Sequence, residues 1–112
     1  SDLRMVAINL AQNAFHAMKN GGVLSVAARR SGAWIEITFT DTGIGIARQN
    51  LDKIFLPFWT KRADDSGGHG LGLTICKAAI DRLGGSISVE STVGAGTAFT
   101  IRLPDPDWEG TA

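Results

Sequence analysis

The chain has one cysteine, Cys76, so it contains no internal disulfide and no thiolate metal cluster. That usage fits a reducing compartment, and a cytoplasmic location is expected for this domain, with membrane anchoring of a parent protein left open. It has no excess charge, because 11 basic and 11 acidic side chains cancel. A zero net charge withholds electrostatic support from nucleic-acid binding and from contact with an acidic membrane. No apolar run is long enough to span a bilayer, and no secretory leader is legible. Internal repeats and low-complexity runs are absent too. The 112 residues, 44% of them hydrophobic, suit one domain with its own core and leave no room for a second. Ser1-Asp2 reads as the cap of a helix that starts at once, so a piece of a longer protein is expected.

What the chain has in quantity is glycine, 14 in all, and the glycines cluster. One cluster is Asp41-Thr42-Gly43-Ile44-Gly45-Ile46; the other is Gly67-Gly68-His69-Gly70-Leu71-Gly72-Leu73. Before the first runs an alternating strand. Ile35, Ile37 and Phe39 take one face, and Glu36, Thr38 and Thr40 take the other. Asp41 continues the apolar phase, so its carboxylate is expected to face the core layer. A carboxylate there is costly unless something hydrogen-bonds it. Glycines just beyond let a backbone or a ligand come close. A purine amino group would find its acceptor in such a place. An ordinary Asp-Gly turn leaving a strand remains an equal reading of this stretch alone.

The rest of the chain frames these clusters. A helix is expected from Asp2 to about Lys19, with Leu3, Val6, Leu10, Ala14 and Met18 as its core stripe. Asn9, Asn13 and His16 form a second stripe. Asparagine is a poor interior helix residue, so two of them one turn apart ask for a reason. Asn20-Gly21-Gly22 ends the helix. Val23 to Arg30 and Trp34 to Thr40 read as a hairpin closed at Ser31-Gly32, and Ala47 to Ile54 as a short helix. Phe55 to Trp59 is an aromatic segment, and Lys61 to Gly70 reads as a mobile loop. A second helix starts at Leu71, with Cys76, Ala79, Ile80 and Leu83 buried, and ends at Gly84-Gly85. Strands Ser86 to Ser91 and Thr97 to Leu103 follow, and residues 105–112 read as a loose tail after a domain of residues 1–104. This order predicts an α+β fold, a two-layer sandwich with helices on one face of a mostly antiparallel sheet.

Four features then stand together: the Asn9/Asn13/His16 stripe, the Asp41 turn, the aromatic segment with Lys61-Arg62, and Gly68-x-Gly70-x-Gly72 opening a helix. Glycine-loop and helix-terminal N–H groups bind phosphate. Asparagine oxygens suit a Mg²⁺ already carried by phosphates. Each feature has a plain alternative: solvated polar residues, core aromatics or a simple turn. The loop is neither a Walker loop, since no Gly-Lys-Ser/Thr follows, nor a Rossmann fingerprint, since no strand precedes it.

In this order the features resemble the catalytic ATP-binding domain of sensor histidine kinases, of the GHKL superfamily with its Bergerat fold. Asn9 to Ala14 resembles the N box, Asp41 to Gly45 the first glycine box, Ile54 to Lys61 the F box, and Gly68 to Leu73 the second glycine box. Asn13 to Met18 with Pro57 to Lys61 is similar to the nitrogen-regulatory and oxygen-sensing kinases. The resemblance implies ATP and Mg²⁺ as cofactors. It implies that Asp41 accepts from the adenine amino group and Thr97 supports the same edge. Gly43 and Gly45 would admit the base, while Ile46 and Leu73 would line its pocket. Asn13 would hold Mg²⁺ with Asn9 assisting, and His16 stands where the family often has a basic residue near the phosphates. Lys61 and Arg62 would approach the terminal phosphate. Gly68, Gly70 and Gly72 would let the loop hinge, with His69 and Leu71 in the same nucleotide-binding set.

The ATPase branches place a glutamate one turn before the Mg²⁺ asparagine, and this chain has Asn9 there. An amide cannot serve as a general base. The resemblance therefore implies phosphoryl transfer to a histidine on a separate dimerisation domain, with a response regulator downstream. The competing readings are a nucleotide-dependent regulatory module, similar to anti-sigma-factor kinases or a degenerate ATP sensor, and an ATPase clamp. The family's usual strand before the first helix has no counterpart here, so the expectation is a sheet that lacks an edge strand or one whose edge a partner segment fills.

Overall fold

The computed structural model describes residues 1–57 and 72–110. Helix α1 (Asp2–Ala17) opens with Ser1 as its cap, whose Oγ accepts the Arg4 N–H at 3.2 Å. Strands β1 (Leu24–Ser31) and β2 (Trp34–Asp41) form the expected hairpin, turning at Gly32-Ala33. A short 3-10 helix, Arg48–Asn50, leads through turns to Ile54. Helix α2 (Gly72–Arg82) precedes β3 (Ser86–Thr92) and β4 (Gly96–Pro104).

The four strands lie in the order β1-β2-β4-β3, and every neighbouring pair is antiparallel. The second hairpin thus inserts its last strand beside β2, which sets Asp41 opposite Thr97. Both helices pack on one face, as the α+β sandwich requires. Val6 and Leu10 of α1, Cys76, Ala79 and Ile80 of α2, and Phe39, Phe99 and Ile101 of the sheet form the core with Ile54. Phe55 meets Phe99 edge-on at 6.4 Å between ring centroids.

Several expected boundaries move. Helix α1 stops at Ala17, not near Lys19, because Met18 leaves helical geometry. Only Val6, Leu10 and Ala14 of its stripe are buried, while Leu3 is exposed. Leu83 is exposed as well, since it follows the last turn of α2. The helix expected over Ala47 to Ile54 is a single 3-10 turn and a run of turns. Strand β1 lies at one edge of the sheet, and between its two end residues it is exposed along its length. After Pro104 the chain stays tied for a few residues. The Asp105 N–H donates to Ala33 O at 2.8 Å, and the buried Asp105 carboxylate lies 3.5 Å from Arg30 Nε.

Candidate functional site

Asp41 ends β2 on the same face as Ile37 and Phe39, as its phase in the strand predicts. It is 7% exposed. Its Oδ1 accepts two backbone N–H groups, from Gly43 at 2.8 Å and from Thr97 at 3.3 Å. Two donors on one oxygen offset the desolvation of the carboxylate and fix its plane. Among the described residues nothing hydrogen-bonds Oδ2. The buried acceptor inferred from the sequence is therefore held by one oxygen and free at the other.

The loop beyond Asp41 is fastened at nearly every residue. Thr42 exchanges backbone and side-chain bonds with Val23, at 3.2 and 3.0 Å. The Ile44 N–H reaches the last carbonyl of α1, Ala17 O, at 3.0 Å. The Ile44 carbonyl accepts the Gly94 N–H from the β3–β4 turn at 2.8 Å. These contacts give the glycines a reason inside the chain. A Cβ on Gly43 would lie 2.6 Å from Ala17 O. Gly45 has φ +78, and a Cβ there would collide with Thr92 O.

One residue of this site has no signal in the sequence. Ser91, on the helix-facing side of β3, takes the Ile46 N–H at 2.7 Å. The same Oγ lies 2.8 Å from Gly96 O and 2.8 Å from Thr97 Oγ1. A serine near a turn reads as a solvated residue. Its partners become visible only once the register of β3 on β4 brings Ser91 opposite Thr97.

Asn9, Asn13 and His16 are all half-buried on α1. The Cys76 thiol of α2 donates to Val6 O of α1 at 4.0 Å; burial pushes it above its ordinary value, and the Asn9 side chain acts in the opposite, lowering direction. Ile46 and Leu73 are half-buried and pack against the core, with Gly72 and Leu73 in the first turn of α2. Thr74 of that turn donates to Phe55 O at 2.9 Å, tying the aromatic segment to the helix start. Lys61, Arg62, Gly68, His69, Gly70 and Leu71, with Phe58 to Thr60 of the aromatic segment, lie outside the described residues.

A buried carboxylate at a glycine turn and half-buried asparagines on α1 are what the resemblance to GHKL domains leads one to expect. Residues 1–107 match the family model of histidine kinase-, DNA gyrase B- and HSP90-like ATPases, and the chain belongs to that family. It is 44% identical over 102 residues to the sensor histidine kinase ZraS of Escherichia coli, covering 91% of this chain and 21% of that protein. It is 40% identical to sporulation kinase D of Bacillus subtilis, covering 91% of this chain and 20% of the relative. The chain thus spans about a fifth of the length of these relatives. Among solved structures, the mycobacterial sensor histidine kinase MprB superposes with a TM-score of 0.81 at 30% identity, over 92% of this chain and 72% of the other. Full-length ShkA in complex with AMPPNP superposes with a TM-score of 0.79 at 29% identity, over 92% of this chain and 21% of the other.

Proposed function

We propose that this chain is the ATP-binding catalytic domain of a two-component sensor histidine kinase. It would present the γ-phosphoryl group of ATP to a histidine on a separate dimerisation domain. The observation that carries this reading is the Asp41 carboxylate, buried, held by two N–H groups on Oδ1 and open at Oδ2. Such a group accepts from the amino group of adenine. Support for the kinase over the ATPase branch comes from Asn9, whose amide cannot activate water. The relatives with the kinase name share the match over nearly the whole chain.

The donor set also fits Mg²⁺ carried in by phosphates. Among the described residues there is no group of three or more His, Cys, Asp or Glu side chains that could hold a metal by themselves. Neutral amide oxygens on Asn13, assisted by Asn9, suit an ion whose other ligands are phosphate and water. When bound, the ion would neutralise charge on the phosphates. The residues of this chain would position the nucleotide, with Lys61 and Arg62 approaching its terminal phosphate and the α2 N-terminus facing it. In the transfer, an imidazole nitrogen supplied by the partner domain attacks phosphorus, the bond to ADP breaks, and the imidazole loses its proton. The response regulator would then take the phosphoryl group. A cytoplasmic position, with no contact to membrane or nucleic acid, completes the reading.

The test is transfer of label from γ-labelled ATP to an added phosphoacceptor domain taken from a relative. The expected result is acid-labile, base-stable label on that domain, lost with Asp41→Asn. Steady release of free phosphate without the acceptor, at the same rate as with it, would overturn the reading in favour of an ATPase.

A further inference from the structure

We infer that Ser91 is a positioning residue: it commits the Thr97 hydroxyl as a hydrogen-bond acceptor toward the base pocket, and so selects a purine with an exocyclic amino group. This rests on the adenine assignment of the Asp41 pocket proposed above.

Ser91 Oγ has three neighbours at hydrogen-bond distance: Ile46 N at 2.7 Å, Gly96 O at 2.8 Å and Thr97 Oγ1 at 2.8 Å. A serine hydroxyl has one proton to give and two lone pairs to receive with. The Ile46 amide can only donate, so it takes one lone pair. The Gly96 carbonyl can only accept, so it requires the serine proton. If that proton turned to Thr97 instead, two oxygens would face each other at 2.8 Å with no hydrogen between them. The arrangement that gives every contact a proton has Ser91 donating to Gly96 O and Thr97 donating to Ser91. Thr97 has then spent its only proton. It is 5% exposed, and whatever of its oxygen meets a ligand or a bridging water can only accept.

The same strand end carries Asp41, directly opposite Thr97 in the register, and its carboxylate also only accepts. Among the described residues, the two side chains paired at this strand end, Asp41 and Thr97, thus both present acceptors, and these form the floor toward which the base is proposed to point. A 6-amino purine brings two N–H donors to it. A 6-oxo purine brings an oxygen, which the floor repels. Asp41 alone gives part of this selection. Ser91 adds to it by denying Thr97 the rotation that would turn its hydroxyl into a donor for a 6-oxo group. The backbone bond to Ile46 and the carbonyl of Gly96 make Ser91 insensitive to what enters the pocket, because both partners are fixed in the main chain.

The experiment measures affinity for ATP and for inosine triphosphate, which differs by the 6-oxo group, in the wild-type chain and in variants. Ser91→Ala frees the Thr97 proton, and the preference for ATP over inosine triphosphate is expected to fall about tenfold, the worth of one hydrogen bond. Ser91→Thr keeps the hydroxyl and is expected to restore the preference. In a Thr97→Val background, adding Ser91→Ala is expected to leave the ratio where Thr97→Val put it. A merely structural serine would lower both affinities together and leave the ratio unchanged, and that result would overturn the inference while leaving the adenine assignment standing. Unchanged ATP affinity in Asp41→Asn would overturn the adenine assignment and this inference with it.

Discussion

At the scale of single residues, the site divides into groups that a sequence announces and groups that only a fold reveals. Asp41 announces itself, because a carboxylate in the apolar phase of a strand needs a partner and glycines follow to supply N–H groups. Ser91 does not, because its partners come from the loop after β2 and from the neighbouring strand. The glycines of the first cluster were legible as a place of close approach, but the approaching group in the structure is the chain itself. That distinction is testable. Gly45→Ala combines φ +78 with a collision at Thr92 O, and is expected to cost about 3 kcal/mol in urea unfolding. Gly94→Ala has a similar φ of +84 but open space around the new Cβ, and should cost about 1 kcal/mol. Equal costs would show that the collision is relieved by a small shift of the loop. Cys76 makes a prediction about pH. Its thiol ordinarily titrates at 9.0, and burial raises that value in the folded state more than the Asn9 side chain lowers it. Below pH 9.0 both states keep the proton and the thiol adds no pH dependence. Above it the unfolded chain loses its proton first, so stability falls as pH rises toward the raised folded value. Urea midpoints at pH 8 and pH 10 should therefore draw closer in Cys76→Ala than in the wild type; an unchanged gap would contradict the burial effect.

At the scale of elements, helices and strands with a strong period were legible and their ends were less so. The alternation of β2 and the stripe of α1 are set by local spacing, and both elements form where that spacing predicts. Helix α1 stops two residues early because the chain must turn at Met18 for Ala17 O to receive the Ile44 N–H. The segment after Ala47 has too few residues to hold a helix by itself, and its conformation is decided by where Ile54 is buried and by the Thr74 bond to Phe55. Thr74→Val keeps the shape of the side chain and removes that bond. A loss of about 1 kcal/mol is expected, together with faster amide exchange around Phe55. Exchange unchanged at Phe55 would mean that packing on Phe99 alone holds the segment. Strand β1 was legible as a strand, yet its exposure was not, because exposure depends on what lies beside an edge.

At the scale of the whole molecule, the layer architecture followed from element order, and the strand order β1-β2-β4-β3 did not. Sequence order alone allows either hairpin strand to lie next to β2. The insertion of β4 brings Asp41, Thr97 and Ser91 to one end of the sheet beneath the α1–α2 layer. The same layer is held by Ile80 and Leu10, each essentially without exposure, so Ile80→Ala should cost about 2–5 kcal/mol and loosen both helices at once. The central claim is that this end of the sheet reads adenine through Asp41 for a kinase that does not hydrolyse ATP by itself. Calorimetry of ATP with Mg²⁺ on the wild-type chain and on Asp41→Asn, with phosphate release followed in the same samples, tests it most directly. The expected result is ATP binding that Asp41→Asn weakens at least tenfold, with negligible hydrolysis in either. Equal binding by the two proteins, or steady turnover by the wild type, would contradict it.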